Sequence, residues 1–160
     1  MLRIIIFTFM LFPLTAIGCS CFSEAKTFEE EFKQYDAIFT GIAINTDRIP
    51  GDWNTSFYKT EIKVQQVWKN RAVLNSVFIK TNIETNSCGA PAPTIGNRFL
   101  VFAHVTKDGL YETGGCSTFI DLEQVKKELD ALSSKEKEVW QIIMKEMWSD
   151  LGSPLVVYSK

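Results

Sequence analysis

Phe57-Tyr58-Lys59-Thr60-Glu61-Ile62-Lys63-Val64-Gln65-Gln66-Val67-Trp68 is the stretch from which the fold can be read. Tyr58, Thr60, Ile62 and Val64 alternate with Lys59, Glu61, Lys63 and Gln65. That is the period-two pattern of a strand with one face in a core. The run exceeds the usual strand length, so a strongly bent strand in a curling sheet is expected. Upstream, Ala37-Ile38-Phe39-Thr40-Gly41-Ile42-Ala43-Ile44 is β-branched and aromatic, with Gly41 placed where a bulge or bend would let the sheet curl. Between the two runs, Arg48 to Asn54 carries turn residues and reads as an exposed loop. Downstream, Val77 to Thr81 reads as a third strand. Arg98 to Val105 reads as a fourth, apolar enough to be buried on both sides, and the turn Lys107-Asp108-Gly109 leads to a fifth, Leu110 to Thr113. Five short strands with helices only at the edges predict a mainly β fold, a small five-stranded barrel with flanking α-helices.

The flanks carry a different period. Phe28, Phe32 and Tyr35 stand near helical spacing and predict a short helix over about Thr27 to Gln34. Leu122 to about Leu132 and Ser134 to Trp148 also read as helices, with Ser133 or Ser134 as the N-cap of the second. Val139, Trp140, Ile143, Met144 and Met147 share one stripe, expected to rest on the barrel. Gly152-Ser153-Pro154 ends the helix, and residues 151–160 read as a C-terminal tail.

The chain has 160 residues and a formal charge of −2. Its first residues, Met1-Leu2-Arg3, form a short cationic start, Ile4 to Leu14 an apolar run broken by Pro13, and Thr15-Ala16-Ile17-Gly18 a small-residue stretch. This predicts a secretory signal over 1–18, cut before Cys19, because the apolar run is too short to span a bilayer. A lipobox is the rival reading, with a lipid anchor on Cys19, although Ala16 stands where a larger aliphatic residue is usual. The expected location is extracellular, or the periplasm or cell surface if the source is bacterial. One domain over 19–150 then accounts for the remaining chain. Lysines such as Lys126, Lys127 and Lys135 are dispersed, which offers no footprint for nucleic acid, and no later run is long enough for a membrane span.

Four cysteines, Cys19, Cys21, Cys88 and Cys116, form an even set in an exported chain and predict two disulfides. A bridge between Cys19 and Cys21 would close too tight a loop, so each reaches a distant partner, and two pairings remain.

A Cys19-Ser20-Cys21 start, a barrel core, Ser87-Cys88-Gly89 before a proline-containing turn, and Gly115-Cys116 after the fifth strand together resemble the N-terminal domain of the tissue inhibitors of metalloproteinases. Cys19 and Cys88 are 69 positions apart and Cys21 and Cys116 are 95 apart, separations very like those of bridged cysteines in that family. Leu132-Ser133-Ser134 looks like the start of the family's third helix. The resemblance covers most of the chain from Cys19 to about Met147. It implies an oligosaccharide/oligonucleotide-binding (OB) fold of the netrin-like group and the pairs Cys19 with Cys88 and Cys21 with Cys116. The sequence departs from the family in having no cysteine between Cys21 and Cys88, no disulfide-rich C-terminal domain, and Phe22-Ser23-Glu24 where a proline-containing turn is usual.

What the resemblance implies for function is inhibition of zinc metalloproteinases. A catalytic zinc keeps a fourth position for water. The free amine and the carbonyl of Cys19 would chelate that metal, with the sulfur held in its disulfide. Ser20 would enter the pocket beyond the cut bond, Cys21 and Phe22 would run along the cleft, and Asn86, Ser87 and Cys88 would form the adjacent ridge. The partner is thus a zinc metalloproteinase; the chain is not expected to be an enzyme or to need a cofactor. Trp53 is expected to pack on its own hairpin, and His104, the single histidine, to be structural. Asn54-Thr55-Ser56 is a glycosylation sequon. Two other readings stand beside the first. One is a netrin-like adhesion or recognition module without inhibitory action; the other is a thiol oxidoreductase using Cys19-Ser20-Cys21, which would need accessible thiols.

Overall fold

The structure is a computed structural model that describes residues 28–52, 55–70, 73–83, 92–113 and 119–158. Helix α1 (Phe28–Gln34) leads into β1 (Ala37–Ile49), β2 (Phe57–Lys69), β3 (Ser76–Asn82), β4 (Arg98–Val105) and β5 (Tyr111–Thr113). These strands stand in the order β1-β2-β3-β5-β4, and β4 returns to pair with β1, which closes a five-stranded barrel of OB-like architecture. Every pairing around it is antiparallel except β3 with β5. The fold expected from the period-two runs is therefore the fold observed.

Irregularity is concentrated along the ladder between β1 and β2, whose register shifts three times, once at Thr40/Gly41. Gly41 is there because its backbone touches its neighbour. A Cβ at that position would collide with Ile62 Cγ2 and lie 2.6 Å from the Lys63 carbonyl oxygen. A backbone oxygen in a ladder cannot step aside, so Gly41→Ala is expected to cost about 1–3 kcal/mol. Urea unfolding should show a lower midpoint with an unchanged slope. A wild-type midpoint would mean that β1 and β2 need not approach so closely.

Two cores share β4. Its odd-numbered residues Phe99, Val101 and Ala103 point into the barrel with Phe39, Ile62, Val64, Val67, Val77 and Ile79. Leu100 and Phe102 point outward and join Ile38, Trp68 and Leu151, with Phe32, Tyr35, Met147 and Trp148 packed around them. The double burial expected of this strand follows from a barrel on one side and helices on the other.

After β5, a short β6 (Phe119–Asp121) pairs with β4, followed by α2 (Leu122–Ala131), α3 (Ser134–Leu151) and β7 (Val156–Val157), which pairs with β2. Asp121 caps α2 by accepting from the Glu123 and Gln124 backbone N–H groups. The Glu136 carboxylate accepts from both the N–H and the hydroxyl of Ser133, bonds that hold it below the usual carboxylate range. Gly152, at φ 65°, ends α3.

The structure departs from the sequence expectation in four places. β1 runs on to Ile49, because Arg48 and Ile49 pair with Tyr58 and Phe57, so the exposed connection is shorter than Arg48 to Asn54. Neither β6 nor β7 was expected; the second is fixed by Leu155 N–H to Val67 O (2.6 Å), Tyr158 N–H to Gln65 O (2.8 Å) and Tyr158 hydroxyl to Val73 O (2.6 Å). Helix α3 continues to Leu151 rather than Trp148. Finally, its apolar stripe does not rest on the barrel along its length. Met147 packs there, but Val139, Trp140 and Ile143 are 52%, 46% and 47% exposed. The apolar outer wall made by Ile38, Trp68, Leu100 and Phe102 accommodates only the last turns of the helix.

Candidate functional site

All the residues expected to touch a protease, Cys19, Ser20, Cys21, Phe22, Asn86, Ser87 and Cys88, lie outside the described residues, as do Cys116 and Trp53. What the structure places is the part of the barrel from which the segments carrying Cys88 and Cys116 depart. β3 and β5 run parallel, with Ile79, Lys80 and Thr81 level with Tyr111, Glu112 and Thr113. Both chains therefore leave the barrel at the same end and side by side, at the spacing of neighbouring strands, about 4.8 Å.

The exit is built from hydroxyls inside and charges outside. Thr81 and Thr113 are buried, with their Oγ1 atoms 3.5 Å apart, and Thr60 and Thr46 make a similar contact at 3.2 Å one step around the barrel. These pairs satisfy one another's hydrogen bonds where the interior stops being apolar. On the outer surface Lys80 donates to Glu112 at 3.0 Å, and its ammonium lies 5.5 Å from the Phe57 ring centre. Lys59 lies over the exposed Phe78 ring at 4.3 Å. Register pairs Asp47 with Lys59, Lys59 with Lys80, and Lys80 with Glu112, so this row carries two charges of each sign. Just inside, Tyr111 meets Phe39 edge to face. Burial pushes its hydroxyl above the usual phenol range, and the neighbouring Tyr158 adds to the shift.

The Cys116 segment has a second constraint. The register of His104 with Glu112, continued one step, places Thr113 level with Ala103, and Phe119 is level with Val101. One residue would bridge that gap, yet residues 114–118 lie in it. β5 and β6 are thus two halves of one edge along β4, interrupted by four residues more than the pairing needs. The sequence signal for this was present in Gly114-Gly115, two residues poorly suited to a continuous strand, but the far half of the edge, Phe119 to Asp121, is too short to show a period.

His104 sits on the surface at the end of β4, its Nδ1 3.5 Å from an Asp36 carboxylate oxygen that also accepts from the Val105 N–H. Its ring lies 5.2 Å from that of Tyr35. Among the described residues no three His, Cys, Asp or Glu side chains are grouped to hold a metal ion, and no helix is long and apolar enough to cross a membrane. Neither a protein-family model nor a curated protein matches the chain.

Proposed function

We propose that the chain is a secreted inhibitor of zinc metalloproteinases, of the tissue-inhibitor type, acting through the free amine and carbonyl of Cys19. The observation that carries this reading is the parallel exit of β3 and β5. The proposed bridges require Cys19 and Cys21, one residue apart, to reach Cys88 and Cys116, so the segments bearing the two receiving cysteines must start close together. Thr81 and Thr113 are register partners. Cys116 is three positions beyond Thr113 and Cys88 five beyond Ile83, which confines them to within about 11 Å and about 18 Å of those residues. A closed barrel with adjacent exits meets the requirement, and the OB-like architecture is the one the family resemblance calls for.

In this mechanism the chelating nitrogen and oxygen belong to one residue and occupy the position of the zinc-bound water in the protease. The bridge from Cys19 to the segment carrying Asn86, Ser87 and Cys88 holds the terminus rigid, which lowers the ordering cost of binding. Ser20 fills the adjoining pocket, and Phe22 continues along the cleft.

Non-reducing peptide mapping of the secreted protein should give the pairs Cys19–Cys88 and Cys21–Cys116. Cys19 joined to Cys116, or four free thiols, would remove the geometric basis of the proposal.

Affinity should also depend on pH. Coordination needs the neutral amine, whose ordinary pKa is about 7.7–8.0, so binding releases a proton wherever that group is charged. Below that range affinity weakens by up to about tenfold per pH unit; above it the amine contributes no further change. The inhibition constant measured from about pH 6 to about pH 9, for free and for acetylated Cys19, checks this. Equal inhibition by the acetylated form would exclude the amine as a ligand, and no inhibition by either form would favour a netrin-like recognition module.

A further inference from the structure

We infer that α3 is the interface of a homodimer in which two copies of the helix lie antiparallel across a two-fold axis near Ile142 and Ile143. Lys135, Val139, Ile142, Ile143, Glu146 and Asp150 follow one another at helical spacing and form a single stripe, and all six are exposed. The stripe runs beside Met147, one turn beyond Ile143, and turns away from Trp148 and Leu151, which hold the last turns of the helix to the body. A second helix can therefore lie along it without meeting the barrel.

Its chemistry specifies the occupant. The centre is apolar, with Val139, Ile142 and Ile143 about half exposed. The N-terminal end carries a cation and the C-terminal end two carboxylates. In the isolated chain the acidic end is poorly placed, because Glu146 and Asp150 are like charges at i, i+4, Asp150 stands at the negative end of the helix dipole, and the last turn holds no basic residue. None of the three charges has an ion-pair partner among the described residues. An antiparallel second copy brings Lys135 against Glu146 and Asp150 at both ends and buries Ile142 and Ile143 against their counterparts. A parallel copy would set like against like. The helix has 18 residues, about 27 Å, so the contact falls at the small end of specific interfaces and the dimer is reversible.

The test is sedimentation velocity on the full secreted chain, from roughly 1 µM to roughly 1 mM. Concentration-dependent dimerisation is expected for the wild type. Lys135→Glu alone, and Glu146→Lys with Asp150→Lys, should each weaken it by about tenfold or more. Mixing those two variants should restore association as a one-to-one heterodimer, and combining all three changes in one chain should restore the homodimer. Circular dichroism confirms that each surface variant stays folded. A wild type that remains monomeric throughout, including one that instead floats with anionic lipid vesicles, overturns the proposal. So does a dimer indifferent to the charge changes, or a triple variant that fails to regain association.

Discussion

A single alanine placed ahead of Cys19 is expected to reduce protease inhibition by at least about a thousandfold while the barrel's circular dichroism stays unchanged. The effect is large because the change acts twice. In the proposed mechanism it converts the amine that would chelate the zinc into an amide nitrogen, a poor metal ligand, and it puts a residue into the space that the metal and its protein ligands would occupy. The fold is spared because nothing in the described barrel depends on the charge of that terminus; β1 closes on β4 from Ala37 onward. An inhibition assay and a far-ultraviolet spectrum on the same preparation provide the comparison. Full inhibition by a folded, extended protein would exclude chelation by the terminus.

The largest effect on stability is expected at Trp68. It is 6% exposed, lies in the outer core with Ile38, Leu100, Phe102 and Leu151, and its ring centre is 5.7 Å from that of Trp148. Its Nε1 donates to the Gly152 carbonyl oxygen at 2.9 Å, which ties the end of α3 to the end of β2. Trp68→Ala therefore opens a cavity and removes the bond that holds the helix terminus, an expected loss of about 3–5 kcal/mol. For a domain of this size that should lower Tm by roughly 10 °C or more. Val139→Ala, on the exposed half of the same helix, should stay within about 0.5 kcal/mol in dilute solution, where the reversible dimer is dissociated. Thermal unfolding of both variants separates the anchored end of α3 from the free end, and equal shifts would contradict that division.

The barrel was legible because its strands advertise a face. Lys59, Glu61 and Lys63 stand between Thr60, Ile62 and Val64, and Gly41 marks the point where only a residue without Cβ fits. β6 and β7 carry no such message, since two or three residues cannot display a period, and both exist only because β4 and β2 offer an unpaired edge. The stripe on α3 shows another limit. Spacing reveals that a helix has an apolar side, but not how far the wall beneath it extends. For the candidate site, Cys19-Ser20-Cys21 could be singled out from sequence. The adjacency of the exits near Thr81 and Thr113 could not, because it arises from a parallel pairing between strands some thirty residues apart.

β4 raises a question of alignment. In most strands a slip of one position is ruled out because it would bury charge and expose hydrocarbon. Phe99, Leu100, Val101, Phe102 and Ala103 are all buried, so within this run polarity does not separate the two alignments, and only at its ends would a slip carry Arg98 or His104 inward. Along the run itself, size chooses. Ala103 lies opposite Ala37, and Phe99 opposite Gly41, where the space inside the barrel is set by the bulge; a slip would drive Phe102 inward and leave Ala103 to fill the gap beneath α3. Shape thus selects one pairing over a hydrophobic near-equivalent. Substitutions that equalise side-chain volume along this strand, such as Ala103→Leu, threaten the uniqueness of the native state before they threaten its hydrophobicity.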